Sequence, residues 1–374
     1  MSGRSRGNAV TDRLTSLRAA WPIRVSWAEV RAAQPTVFRQ AVLGALLCIP
    51  AAACTLLWAG LTFEWPRPIS LPGWIEWAHG FLIVVTLFTS ILLWMWGVIM
   101  VSMPADTRRG LAFEGFAKRE GINYMRMGLP PARLGVFFAE QLPGPRDPAR
   151  RRPPLTAKPP ASLFRSSFVL WRGRDASDPD LAIGIASYTG GKGDPKGPRN
   201  GFRYLSLRLP RALPHLIIDA RGNGSLRTLL PGTQRLSLEG DFDRYFATYV
   251  PDGYERDALE LLTPDVMACL IDYGSRWDIE VIDDRLQLAS SRVTARTDGA
   301  ESAALIYFAE LVGAELGHQA ASYSDPRAAR PRAQVAAQGR RLRQRSTAWS
   351  TVAFVAVIGG MVAFPHVLGW LLDR

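Results

Sequence analysis

Cysteine, histidine and lysine are scarce in this chain, and over three long stretches charge is missing altogether. Three cysteines in 374 residues (Cys48, Cys54, Cys269) make no disulfide framework and ask for no oxidising compartment. The four histidines (His79, His215, His318, His366) lie far apart, and the chain has no Cys-x-x-Cys or His-x-x-x-His pair. Zinc-type sites need such convergent ligands, so the expectation is no metal and no cofactor. Phosphate-binding fingerprints are missing too. Residues 190–197 are rich in glycine and lysine but lack the Gly-x-x-x-x-Gly-Lys-Ser/Thr spacing, and 221–224 lack the dinucleotide pattern. Both read as turns.

The third shortage is the most informative. Residues 40–63, 77–105 and 346–372 contain no Asp, Glu, Lys or Arg. Each run exceeds the roughly 20 apolar residues that cross a bilayer core as a helix. This excludes an ordinary soluble enzyme, a secreted disulfide scaffold and a disordered tail protein, and it predicts transmembrane helices at 40–63, 77–103 and 347–372. Ala51-Ala52-Ala53-Cys54 imitates a lipoprotein cleavage box, but a leader of some forty residues precedes it and apolar residues continue past it through Trp58 and Leu61. A retained helix is therefore expected, not a cleaved signal.

What charge there is sets an orientation. The net charge is +12, with 45 basic against 33 acidic side chains, and all but four of the basic ones are arginine. The leader, 1–39, has seven arginines against Asp12 and Glu29. The loop 64–76 holds Pro66, Pro68 and Pro72 and a net charge of −1. Arg108 and Arg109 follow the second run, and seven arginines from Arg327 to Arg345 precede the third. The positive-inside rule then places the leader and the large middle region in the cytoplasm of a plasma (inner) membrane protein, with the short loop and the C-terminus outside. Ten of the twelve tryptophans lie in the leader, the runs or the short loop, as an interfacial aromatic belt would have them.

The middle region is read as an α+β domain at 104–322, followed by an arginine-rich juxtamembrane linker at 323–346. Seven prolines and the triplet Arg150-Arg151-Arg152 make 141–160 an exposed loop. Strands are predicted at 168–171, 181–188, 202–209, 216–219, 235–238 and 245–250, and a terminal hairpin at 277–288 turning at Asp283-Asp284. Helices are predicted at 105–120, from Thr263-Pro264-Asp265 to about Tyr273 with a hydroxyl cap and an N1 proline, and at 300–318.

Carboxylates are the only candidates for acid–base chemistry. Asp241 and Asp243 crowd one turn with Glu239, and paired carboxylates divide acid and base roles when their surroundings differ. Aspartate in a turn more often bonds nearby backbone N–H groups. In the arginine run, Arg340, Arg341, Arg343 and Arg345 are assigned to anionic lipid headgroups because of their juxtamembrane position, and no nucleic acid is expected. Leu14, Leu17, Trp21 and Trp27 among the leader's arginines fit a segment lying on the same surface. No charge within the runs suggests an ion pathway, and Ala356 and Gly360 form a small-x-x-x-small pair suited to helix packing.

Scarce lysine and only four asparagines, with abundant alanine and proline, fit a GC-rich bacterial genome. The tract 213–219 (Leu-Pro-His-Leu-Ile-Ile-Asp), the tract 236–246 (Leu-Ser-Leu-Glu-Gly-Asp-Phe-Asp-Arg-Tyr-Phe), Tyr254-Glu255-Arg256-Asp257-Ala258 and Leu262-Thr263-Pro264-Asp265 resemble a group of uncharacterised bacterial multi-pass membrane proteins. These have two N-terminal spans followed by a cytoplasmic domain of unknown function. The resemblance covers 110–290, and it implies a shared fold and no catalytic residue. The expectation is a membrane protein whose cytoplasmic domain is a protein- or lipid-interaction module, a scaffold, sensor or accessory subunit, with a protein partner or a second copy. The alternatives are a membrane-tethered enzyme using the acidic turn and a subunit of a transport assembly.

Overall fold

The computed structural model describes residues 3–22, 24–63, 72–128, 135–136, 164–188, 201–222, 230, 232–290 and 292–342. The expected third span, the loop 141–160, the turn 190–197, and Arg343 and Arg345 lie outside these. The chain divides into two units, with the boundary between Arg126 and Met127.

The first unit is helical: α1 (Gly3–Ala20), α2 (Trp27–Ala33), α3 (Thr36–Phe63) and α4 (His79–Glu120), with a 3-10 turn at Gly73–Ala78. Among the described residues, α3 and α4 are the two helices long and apolar enough to cross a membrane. They leave Leu43, Leu46, Ile49, Phe81, Phe88, Ile91 and Trp96 exposed. Each carries one internal proline, Pro50 and Pro104. The pair meets at glycines: a Cβ on Gly44 would stand 2.6 Å from Met100 Cβ, and one on Gly97 would stand 2.8 Å from Cys48 Sγ. Polar groups join them as well, with Thr55 Oγ1 and Ser90 Oγ 2.7 Å apart and Trp94 Nε1 donating to Thr55 Oγ1 at 3.0 Å. Small residues and hydrogen bonds are what hold helices together where burial of apolar surface gives no driving force.

At 42 residues, α4 is about 63 Å long and continues well beyond its charge-free run. It stops at Gly121, in the left-handed conformation (φ 63°) that caps helix ends. The leader folds onto this extension. Leu17 and Val30 are fully buried, Trp21 packs on Phe113 and Phe116, and Val25, Val30 and Val37 cluster with Met103 and Leu111. Arg108 Nε donates to the Val25 carbonyl at 2.7 Å, and its guanidinium lies over Trp27. The apolar residues expected to face lipid from the leader are thus largely taken up by α4, because Phe113 and Phe116 offer them a drier partner. Trp27 alone of the four remains half exposed.

The second unit is mixed α and β with an antiparallel sheet. Strand β1 (Asn123–Gly128) straddles the boundary, and the others are β2 (Phe164–Arg172), β3 (Leu181–Tyr188), β4 (Phe202–Ala220), β5 (Arg235–Leu236), β6 (Phe246–Tyr249) and β7 (Asp278–Ser290). Their order is β1-β2-β3-β4-β6-β5, and β7 pairs with β4. Two expectations are corrected here. The strands predicted at 202–209 and 216–219 are one 19-residue strand, β4. Its prolines, Pro210 and Pro214, fall in the two register breaks against β7, where no ladder N–H is required. The predicted hairpin at 277–288 is likewise one strand. Asp283, where a turn was expected, does take a left-handed conformation (φ 52°), but it forms an irregularity opposite Leu213 and the chain does not reverse.

Helices α5 (Phe242–Tyr245), α6 (Glu255–Leu261), α7 (Pro264–Gly274) and α8 (Asp298–Ser322) complete the unit. Thr263 caps α7, its hydroxyl accepting the Val266 N–H with Pro264 at N1, as its sequence predicts. α8 lies on β4, where Gly313 leaves no room for a Cβ beside Leu207. Its N-terminal acids fasten it to the sheet. Asp298 pairs with buried Arg203, and Glu301 accepts from Trp277 Nε1 at 3.2 Å and from the Ser290 hydroxyl at 3.0 Å.

Candidate functional site: an imidazole–carboxylate pair beneath a polar strap

Strand alternation puts His215, Ile217 and Asp219 of β4 on one face, and the register sets Glu280 of β7 directly beside Ile217. His215 and Glu280 are both fully buried, with Nε2 and Oε1 2.7 Å apart. The other ring nitrogen, Nδ1, accepts the Leu342 amide N–H at 3.0 Å. An amide can only donate, so Nδ1 carries a lone pair and the imidazole proton sits on Nε2. His215 is therefore neutral and donates to Glu280. The same carboxylate oxygen accepts the Val136 N–H at 2.9 Å, and a side chain on Gly135 would overlap the carboxylate.

The cover over this pair is residues 323–342, which leave α8 and run back across the domain. Contacts along its whole length pin this strap. Tyr323 donates its hydroxyl to Asp257 at 2.9 Å, and Tyr254 donates to Asp325 at 2.7 Å. Arg327 reaches Asp257 at 2.9 Å and Asp325 at 3.3 Å, and stacks 4.2 Å over the Tyr254 ring. Gly339 accepts the His215 backbone N–H at 2.8 Å, and any Cβ there would strike the Tyr254 ring. Arg341 forks onto both oxygens of Asp283, at 3.2 and 3.1 Å. Leu342 ends the strap inside a cluster with Val136, Ile217, Leu230, Ala247 and Tyr249.

These contacts shift protonation. Burial works to raise the Asp325 carboxyl, but the Ala336 N–H, the Tyr254 hydroxyl and the Arg327 donors outweigh it and hold the carboxyl below its ordinary value. Burial and the neighbouring Asp325 push the Tyr254 phenol up to about 12. Burial and Asp257 raise Tyr323 as well.

Chemically, an imidazole oriented by a carboxylate is the arrangement of a general base. Here both ring nitrogens are engaged, so in this conformation the pair clamps the strap and the segment at 135–136. Among the described residues no group of three or more His, Cys, Asp or Glu is placed to hold a metal ion.

Of the residues singled out from sequence, Asp241 and Asp243 lie elsewhere, while Arg340 and Arg341 belong to the strap. Asp243 accepts from the Ser237 hydroxyl and the Leu238 N–H, a turn-closing role, and Asp241 is exposed just before α5. Arg340 is exposed and donates to the Val335 carbonyl, while Arg341 is held by Asp283. Sequence reasoning passed over Glu280 and saw His215 only as an isolated histidine. The two are 65 positions apart, and only the β4–β7 register joins them. The segment expected as a linker is, over its described part, packed on the domain.

No family model matches the chain, and no curated protein matches it. Among solved structures it is similar to the crystal structure of the mycobacterial trehalose monomycolate transport factor A. The identity is 10% and the TM-score 0.30, with 55% of this chain and 94% of that chain covered. Such a score lies below the level of a shared fold and assigns this chain no activity.

Proposed function

We propose that this is a multi-pass plasma-membrane protein whose leader and α+β domain face the cytoplasm, and that the domain is an interaction module held at an anionic membrane surface, where it meets a protein partner. On this reading 347–372 is a third span and the C-terminus lies outside. The observation that supports it most is the pairing of two helices that each carry a long charge-free run, apolar side chains exposed along both, with Arg39 just before the first run and Arg108 and Arg109 just after the second. Arg330, Arg332 and Arg340 are exposed on the strap, and Arg343 and Arg345 follow in sequence. Each basic residue near an anionic surface contributes on the order of 1 kcal/mol of attraction.

Single-cysteine labelling tests the topology. In a background with Cys48, Cys54 and Cys269 replaced by alanine, Gly73→Cys should react with a membrane-impermeant maleimide on intact cells. Asp175→Cys should react only after permeabilisation. The opposite pattern sinks the orientation. For the module, crosslinking in native membranes should capture a specific partner with the full chain and lose it when 127–342 is removed; partners retained without those residues would move the function into the apolar helices.

A further inference from the structure

We propose that the strap is a membrane-responsive latch, in which phosphodiester headgroups of an anionic bilayer take Arg341 from Asp283 and Leu342 then leaves His215 Nδ1. The proposal rests on the membrane reading above and names the regulation of the site just described.

Four observations carry it. First, the Arg341–Asp283 pair is the outermost link in the last part of the strap, its side chains 21% and 26% exposed, whereas His215, Glu280 and Leu342 are buried. A phosphate offers the Arg341 fork the same two-oxygen partner as Asp283 does, so the two compete for one guanidinium. Second, Arg341 adjoins Leu342, whose amide holds Nδ1 and whose side chain fills the cluster around Ile217 and Tyr249. Moving one moves the other. Third, from residue 323 to 345 the chain carries seven arginines against Asp325 alone, so an anionic surface attracts this segment as a whole. Fourth, the charge-free run begins four residues beyond Leu342, a span of at most about 14 Å in extended chain. If that run enters the bilayer, Arg341 is within reach of headgroups.

Release has a defined chemical result. His215 keeps its Nε2–H on Glu280 while the Nδ1 lone pair is uncovered, so an oriented, neutral, basic nitrogen appears on the β4 face only when the membrane holds the strap. By linkage, whatever binds the uncovered face also strengthens the hold of the membrane on Arg341.

The test compares amide hydrogen exchange of the full chain in nanodiscs of phosphatidylcholine alone and of phosphatidylcholine with phosphatidylglycerol. Leu342 should exchange about tenfold faster in the anionic discs, a coupling of ordinary size, while Ile279 in the β4–β7 ladder is unchanged. Arg341→Gln should exchange fast in both, without lipid response. Asp283→Asn should open at a lower phosphatidylglycerol content. Equal Leu342 exchange of the unaltered chain in the two lipids overturns the latch, as does a lipid response that survives in Arg341→Gln. Opening by inorganic phosphate in phosphatidylcholine discs overturns the membrane as trigger. A wrong topology shows in the cysteine labelling, whereas equal exchange with the expected topology sinks the latch and leaves the membrane reading standing.

Discussion

Gly97 of α4 lies where an added Cβ would meet Cys48 Sγ at 2.8 Å and the Gly44 carbonyl at 3.1 Å, so two backbones approach closely only because neither residue has a side chain. Gly97→Leu should therefore weaken the α3–α4 pair by roughly 1–3 kcal/mol, the usual cost of overpacking. Gly97→Cys offers a direct check, because its Cβ would sit at the separation from Cys48 Sγ that a disulfide needs. Mild oxidation should crosslink the two helices, and failure to do so would mean that they do not pack through these glycines. A second residue, Glu280, carries two buried donors, the Val136 N–H and His215 Nε2–H. Glu280→Gln keeps an acceptor oxygen at nearly the same volume. Glu280→Leu leaves both donors without this acceptor, each costing about 1–3 kcal/mol. In urea titrations the leucine variant should lose clearly more stability than the glutamine variant; equal midpoints would show that the carboxylate is not what holds 135–136 and His215.

At the scale of elements, the strap's anchors give it a pH window. Asp325 has a carboxyl depressed below its ordinary 3.8, so its contribution is fully present above that value and is lost as pH falls through the lower, folded-state one. Tyr254 is raised from 10.0 to about 12, so its contribution is present below 10.0 and is lost as pH rises between the two. Amide protection at Ala336, whose N–H is bonded to Asp325, should thus hold from mildly acidic to mildly alkaline solution and fall at both ends. A change near neutrality would point to a different anchor. Elements differ in how legible they were. α7 was written in Thr263-Pro264-Asp265, and β3 was read to its end residues, because capping chemistry and a short apolar run are local signals. β4 was not, because two prolines that break a strand in isolation are tolerated at register breaks that only β7 creates. The strap was read as a juxtamembrane linker for lipid headgroups from its arginines. Its hold depends on Tyr254, Asp257 and Asp283, which are distant in sequence, and on Gly339, whose missing Cβ signifies nothing until the Tyr254 ring lies against it. The His215–Glu280 pair was hidden for the same reason.

For the whole molecule, the division at Arg126 and Met127 separates two kinds of stability. The second unit is held by burial of residues such as Trp277, Phe308, Leu216 and Ile279 away from water, the interaction that urea weakens. α3 and α4 leave most of their apolar side chains exposed, and in lipid or detergent they satisfy their backbone groups internally without relying on that burial. Urea should therefore unfold the protein in two steps when it is held in mild detergent. The first step should remove the sheet signal and the emission of buried Trp277, with a slope of about 2 kcal/mol per molar urea, and leave the helical signal of α3 and α4. The second should need harsher conditions, such as sodium dodecyl sulfate. Circular dichroism and fluorescence of Trp277→Phe against the parent chain separate the steps. Should all signals vanish together in urea, the apolar helices would depend on the α+β domain for their structure, and the two-unit description with its independently anchored hairpin would have to be given up.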